Sequence, residues 1–450
     1  LDLKAGTIWF QKDEVESING YSVESWKQSL PTQEAFKEQN KNQAILSSAQ
    51  EGLNFVSKTR RLEFKTMPWV EVCTREELKR NLMRLIEKEN SEAKVDTAGK
   101  LLLKLGLLSD LQEYKREASS LLTEQVAGYY SDEDKRIYVT DDVLLDILPG
   151  IPSITIMHEQ MHALQDQYHD LKKIKDALFQ GNDDKAMAMQ GVIEGEATVL
   201  MYDAYFNSVR GAGFMGKEDK ILDIRSFVID SMLAYSKRIK SENNQPAIFM
   251  EDTLFPYVYG GTFIQYIVNT RGWDAVDAIY KDPPVSSEQI MHPEKYYIMR
   301  DAPKEVNLPD ISSKLGSSWV RLTRGVLGEF SFYLVGKNFL DELSAKLMSE
   351  GWGGDTFELY EEPASKQLLL ISLSKWDTER DAEEAFSLYK KIIVKRYKNP
   401  ALIKEDANFS QWKTTSGSVY LSKDGDSIIH IDGASETLLL ALLGALNKAK

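Results

Sequence analysis

Residues 156–166 read Ile-Met-His-Glu-Gln-Met-His-Ala-Leu-Gln-Asp, and His158-Glu159-Gln160-Met161-His162 inside them could do chemistry. On a helix, two residues four apart lie one above the other on the same face. Both imidazoles can then reach one zinc ion at about 2.0–2.1 Å. Glu159 is held beside such an ion without completing its ligand set. That placement suits a general base acting on a metal-activated water. The chain contains only five histidines, so the pattern is improbable by chance.

Zinc in catalytic sites takes a third protein ligand, commonly from a His₂Glu set. The next helix supplies candidates. Gly181-Asn182-Asp183-Asp184 breaks the chain and caps a helix start, and an apolar stripe follows through Ala186, Met189, Ile193, Ala197, Leu200 and Ala204. This stretch carries Glu194-Gly195-Glu196. A mid-helix glycine is costly unless another helix approaches closely. Glu194 and Glu196 lie on opposite flanks of the stripe, so periodicity does not choose between them as the third ligand. Asp166, four after His162, could accept a hydrogen bond from a ligand imidazole or be a solvated helix carboxylate. His169 lies roughly 16 Å along the helix axis from His158, too far to share the ion.

Three further residues are candidates for the reaction itself. Tyr257 and Tyr259 could each point a phenol into a cleft, or simply bury a ring and wet a hydroxyl. His292 precedes Pro293 in the stretch Ser286–Tyr296, so its backbone is restricted. It could stabilise an oxyanion or bridge two structural elements.

The surrounding elements must position these residues. Residues 1–58 are polar with scattered aromatics (Trp9, Phe10, Trp26) and read as a helical N-terminal extension. Short strands are expected at 62–65 and 70–72. Thr74 and Glu77 form a capping box for a helix with Leu78, Leu82, Leu85 and Ile86 on one face. A second amphipathic run covers 101–122. Residues 128–139 place two β-rich runs around a polar turn, a hairpin signature. Such a strand beside a metal helix could add an extended substrate to its edge, or be purely structural. Pro152 and Ser153 suit the start of the metal helix. A helix is expected at 221–245, and residues 254–263 lead into another that ends near Gly272. Residues 304–318 read as a linker. Beyond it come a helix near 328–350, a turn at Gly351–Asp355, strands at 356–361 and 367–376, and a charged helix at 378–397. Strands near 409–431, with His430 as a strand residue, and a closing helix complete an antiparallel α+β set. The expected organisation is an extension (1–58), a mostly helical core with a small strand element (59–308) and an α+β accessory domain (309–450).

Composition narrows the partners. Of 450 residues, 42% are hydrophobic and 28% charged, as in globular proteins. The net charge of −14 and the lack of a basic patch argue against nucleic acid. A single cysteine, Cys73, excludes an internal disulfide. No apolar run reaches the roughly 18–20 residues that span a bilayer. The chain opens Leu1-Asp2-Leu3 without methionine. We read it as a form trimmed of a targeting segment, which leans the compartment toward the secreted or envelope-associated, with cytoplasmic as the alternative.

These motifs resemble the gluzincin zinc metallopeptidases, with H-E-x-x-H on one helix and a glutamate ligand on a second. Aminopeptidase-type gluzincins carry that ligand as the Glu of E-G-x-A. Glu194-Gly195-Glu196-Ala197 matches, so the resemblance favours Glu194, with Glu196 as the alternative. More closely, three segments are similar to a group of largely uncharacterised, mostly bacterial zincin-like proteins: His158-Glu-x-x-His-Ala-Leu-Gln-Asp-Gln167, Glu194–Thr198 and Glu288–Tyr296. Gly351–Asp355 shares that similarity, which spans roughly 60–430. Thermolysin-type enzymes place an Asp four after the ligand glutamate; here that position is Thr198, which removes the usual partner of the first ligand histidine. The resemblance implies a zincin-like fold, bound Zn²⁺ and hydrolysis of a peptide or protein substrate. Two alternatives stand beside it: a non-catalytic zincin-fold binding protein with a structural zinc, and a zinc hydrolase of non-peptide substrates.

Overall fold

Two β-rich runs flank the polar turn at 132–135, and this stretch forms the hairpin its pattern predicts. Gly128–Ser131 and Arg136–Val139 pair antiparallel, and Lys135 takes the left-handed conformation in the turn (φ 58°). Trp69–Val72 adds to the other side of Arg136–Val139 in parallel. In this computed structural model the described residues are 17–18, 21–22, 41–89, 91–111, 114, 127–146, 152–178, 182–211 and 247–446. They make an α+β protein of two compact units. The first comprises Leu1–Glu89, Arg116–Ala177 and Met189–Pro283; the second comprises Asn90–Lys115, Leu178–Ala188 and Pro284–Lys450. Among the described residues no helix is long and apolar enough to cross a membrane.

In the first unit, the helix Ile154–His169 begins where Ser153 caps it by accepting from the Ile156 amide. It ends at Asp170, which is left-handed. Ile156 and Ala163 pack with Ile137 and Val139 of the small sheet and with Ile45 and Ala49. The last two belong to the helix Lys41–Arg60. There Gly52 leaves room for Gln160 and Met157; a Cβ on it would lie 2.5 Å from Gln160 Oε1. Gln160 also donates to the Ala49 carbonyl at 2.7 Å, and the Ser153 amide donates to Ser48 Oγ at 2.6 Å. The boundary expected at residue 58 therefore falls inside a helix that belongs to the first unit's core. Of residues 1–40 only 17–18 and 21–22 are described, as a two-stranded ladder rather than a helix.

The second unit is built on a seven-stranded antiparallel sheet. In spatial order its strands are Val320–Gly325, Trp352–Glu362, Gln367–Trp376, Ser427–Ala434, Gly417–Asp424, Phe409–Thr414 and Ala401–Glu405. One face packs Ile371, Ile429 and Ile431 against Leu439, Leu442 and Leu446 of the last helix. On strand Ser427–Ala434, the buried Asp432 collects Lys104 Nζ at 2.7 Å and the Arg396 guanidinium at 2.8 Å. Tyr397 OH donates to the same carboxylate. His430 is a buried strand residue beside Tyr389, as expected of it.

Several sequence expectations are corrected. Residues 62–65 form no strand. The run over 101–122 is instead the end of a helix over Glu92–Leu105, stopped by left-handed Gly106; most of its remainder, and the helix expected at 221–245, lie outside the described residues. The expected linker at 304–318 is part of a core, because Val306, Leu308, Ile311 and Leu315 are buried. The helix near 328–350 is two, Gly328–Phe339 and Glu342–Ser349, separated where Asp341 caps the second by accepting from Ser344 N. Gly351–Asp355 is not a free turn: the strand Trp352–Glu362 starts within it, with a register shift between Trp352 and Gly354. Strands Val320–Gly325 and Ala401–Glu405 were not anticipated.

Candidate metal centre

The helix Ile154–His169 turns His158 and His162 to one side, with ring centroids 4.7 Å apart. The helix Asp183–Gly211 brings Glu194 to them. Its Oε2 lies 3.2 Å from His158 Nε2 and 3.3 Å from His162 Nε2, and the two Nε2 atoms are 3.1 Å apart. Tetrahedral ligands of zinc at about 2.0–2.1 Å stand roughly 3.3–3.4 Å from one another. The three donor atoms therefore fit that ion in spacing as well as in kind. Burial favours the protonated form of Glu194, yet the two imidazoles outweigh it and hold the carboxyl well below its usual range. Burial likewise opposes charge on His162, but Glu194 and Glu159 raise its pKa to about 9. Each group is thus stabilised by opposite charge at this point.

A close crossing of two helices makes this approach possible. A Cβ on Gly195 would sit 2.3 Å from the Gly260 backbone, and one on Gly260 would sit 2.1 Å from the Gly191 carbonyl oxygen. Gly260 belongs to the helix Ala247–Arg271. The mid-helix glycine beside the glutamates is there for contact, as its cost in the sequence suggested.

The same helix carries Tyr257, whose ring lies 6.2 Å from that of His158. Burial first, then the Glu194 and Glu159 carboxylates, push its phenol well above the ordinary value. Tyr259 is rotated by about 200° around the helix from Tyr257 and stacks on Phe255 at 5.3 Å. Glu159 stays outside the ligand triangle. Its Oε2 accepts the Tyr130 amide at 2.8 Å, from the strand Gly128–Ser131. Burial raises its pKa, while His158 and His162 pull it down.

Glu196 faces elsewhere. Its fully buried carboxylate pairs with Arg60 Nε at 2.6 Å and accepts Tyr280 OH and Gln165 Nε2 at 2.5 and 2.8 Å. It is not poised to take the place of Glu194. The partner of the His162 imidazole is Gln165, whose Oε1 lies 2.8 Å from His162 Nδ1. Asp166 instead accepts from Tyr130 OH at 2.6 Å and Lys135 Nζ at 2.5 Å. His158 Nδ1 is buried without a hydrogen-bond partner among the described residues, as is Thr198 Oγ1. His169 stacks on Tyr280 at 3.8 Å, apart from the ligand set. His292 belongs to the second unit, where its Nε2 lies 3.0 Å from the buried Glu329; the cluster of the first unit is assembled without it. Arg60, Gln165, Tyr130 and Tyr280 were missed in the sequence. Only Gln165, one helical turn after His162, carried a positional signal.

Residues 320–442, just over a quarter of the chain, match a family described as a domain of unknown function, DUF8575. The match lies wholly within the second unit. No curated protein matches the chain. Among solved structures, the chain is similar to one from Chloroflexus aurantiacus described as a "putative hydrolase with a novel fold". The identity is 14%, the coverage 62% of this chain and 95% of that one, and the TM-score 0.36. A likeness that slight carries no argument about fold or activity.

Proposed function

We propose that the first unit is a zinc-dependent hydrolase of peptide bonds, with the ion held by His158, His162 and Glu194. The observation that carries this reading is the division of labour among four neighbouring groups. Three donor atoms converge on one point, while Glu159 lies beside them with its own anchor. A structural zinc site closes with four protein ligands. Here Glu196, the nearest sequence candidate for a fourth, is committed to Arg60, Gln165 and Tyr280. The arrangement favours a site with one position open to solvent and substrate.

Zinc in such a site supplies Lewis acidity toward a water and a carbonyl oxygen. The chain's own groups do the rest. Tyr130 N–H fixes Glu159 Oε2, which leaves Oε1 to receive a proton from the attacking water. The same atom then returns that proton to the leaving amine. Tyr257, already beside His158, is the phenol that can turn toward a developing oxyanion. This role passes to it from His292 and Tyr259. The peptide substrate class follows from the E-G-x-A resemblance.

The test is Glu159→Gln. The variant should bind zinc in the same stoichiometry as the wild type by metal analysis. It should hydrolyse a peptide library about 10²–10⁴-fold more slowly. Equal rates would remove Glu159 from the mechanism.

A further inference from the structure

Glu159 and Asp166 lie on the helix Ile154–His169. They are two turns apart, about 10 Å along its axis, and so share one face. Tyr130, on the strand Gly128–Ser131, bridges them. Its amide donates to Glu159 Oε2 at 2.8 Å and its phenol to Asp166 Oδ2 at 2.6 Å. The other partners of Asp166 are donors too: Lys135 Nζ lies 2.5 Å from Oδ2, and the Leu171 amide donates to Oδ1 at 3.0 Å. The carboxylate therefore accepts from the phenol as well. Glu159 and Asp166 are both buried. The Lys135 side chain is 56% exposed, so solvent screens its pull on the hairpin. The phenol is the stronger tie. Among the described residues the strand pairs with Arg136–Val139 alone, and no second strand holds its outer edge.

We infer that Asp166 is a positioning residue for Glu159. By gripping the Tyr130 phenol it sets the edge strand against the helix. The Tyr130 amide then meets Glu159 Oε2 and keeps that carboxylate beside the three donor atoms of the metal centre. The placement of the base is thus carried from a point two turns away, by a side chain outside the ligand set. Its catalytic consequence rests on the hydrolase reading above; the clamp itself is there in metal-free protein.

Hydrogen–deuterium exchange, resolved to single amides, is measured on the full metal-free chain. The Tyr130 amide should exchange slowly, and Glu159→Ala should release it. Tyr130→Phe removes one oxygen and keeps the amide. It should speed exchange at position 130 by about tenfold or more, the scale of one lost hydrogen bond to a charged group. The Lys135 and Thr140 amides, bonded to the Ser131 and Ala127 carbonyls at 2.8 and 2.9 Å, should keep their rates. Asp166→Ala should reproduce that pattern. Asp166→Asn, which retains an acceptor oxygen, should restore most of the protection. Unchanged exchange at position 130 in Tyr130→Phe would overturn the inference. So would an equal rise at Lys135 and Thr140, which would make the phenol a brace for the whole hairpin. If Asp166→Ala fails to fold, Tyr130→Phe decides. With zinc and a peptide substrate, Tyr130→Phe should lower kcat by about 10–100-fold, at a KM within about twofold of the wild type. An unchanged kcat in that variant would overturn the positioning role. A wild type that hydrolyses nothing refutes the reading of Glu159 as a base, and the exchange pattern still decides the clamp.

Discussion

At the scale of single residues, the two glutamates flanking Gly195 differ in what they face. Glu194 meets two imidazoles, and Glu196 meets a guanidinium. Breaking a buried ion pair by removing one partner leaves the other charge without compensation. Arg60→Met should therefore cost about 3–5 kcal/mol in a chemical-denaturation measurement on metal-free protein. Glu194→Gln should instead abolish tight zinc binding at a far smaller cost in stability. If Arg60→Met were neutral, the pair would not be the anchor described here. The cluster of His158, Glu159 and His162 was legible in the sequence because a fixed i, i+4 spacing on one helix encodes its geometry. Glu194 could be told from Glu196 only by resemblance, since both flank the same apolar stripe. Arg60 was illegible: its partner is 136 positions away, and no local pattern marks one arginine among many. Asp166 was read as a possible imidazole partner because it is one turn from His162. Its neighbour Gln165 holds that place, a rotation of about 100° that spacing alone does not resolve.

At the scale of elements, the site depends on how closely two helices pass. The crossing at Gly191, Gly195 and Gly260 brings backbone against backbone, where nothing flexible can yield. Gly195→Ala should destabilise the fold by about 1–3 kcal/mol or more through overpacking. Zinc affinity should fall with it, because Glu194 is the adjacent residue and Tyr257 rides on the other helix. Thermal unfolding with and without zinc measures both effects. Gly261→Ala is the control, since its Cβ would meet only Thr198 Cγ2 at an ordinary 3.7 Å. A Gly195→Ala variant as stable as that control would contradict the packing argument. Helix starts were legible where a side chain announces them, as at Ser153, Thr74 and Asn182. The expected linker at 304–318 misled because its Pro, Ser and Lys residues hide four spaced apolar side chains that pack inward. The edge strands Val320–Gly325 and Ala401–Glu405 were missed because both are largely exposed and carry charges, so neither shows the apolar alternation of a buried strand.

At the scale of the whole molecule, the second unit buries acids whose titration its fold shifts upward. Burial raises Asp184 to about 8, Glu288 to about 7 and Asp355 to about 6. Their ordinary values are 3.8 for Asp and 4.5 for Glu. Between those limits the folded state holds protons that the unfolded chain has released, so stability must fall as pH rises. The contribution is full below about 4 and is lost stepwise through about 6, 7 and 8. Asp432 works in the opposite sense, because Lys104 and Arg396 depress it despite its burial. Its contribution disappears only in strong acid, below this window. Amide exchange in the strand Gln367–Trp376, corrected for intrinsic rates, should show protection declining from pH 5 to pH 8. Protection that rises over that range would refute the assignment.

The edge of the small sheet carries one more implication. Among the described residues Gly128–Ser131 pairs on one side only, and the outward amide of Tyr130 is already engaged by Glu159. An extended chain laid along this rim would compete for that hydrogen. Docking there would then loosen the grip on the carboxylate, so that occupancy of the rim and the freedom of Glu159 become one linked equilibrium.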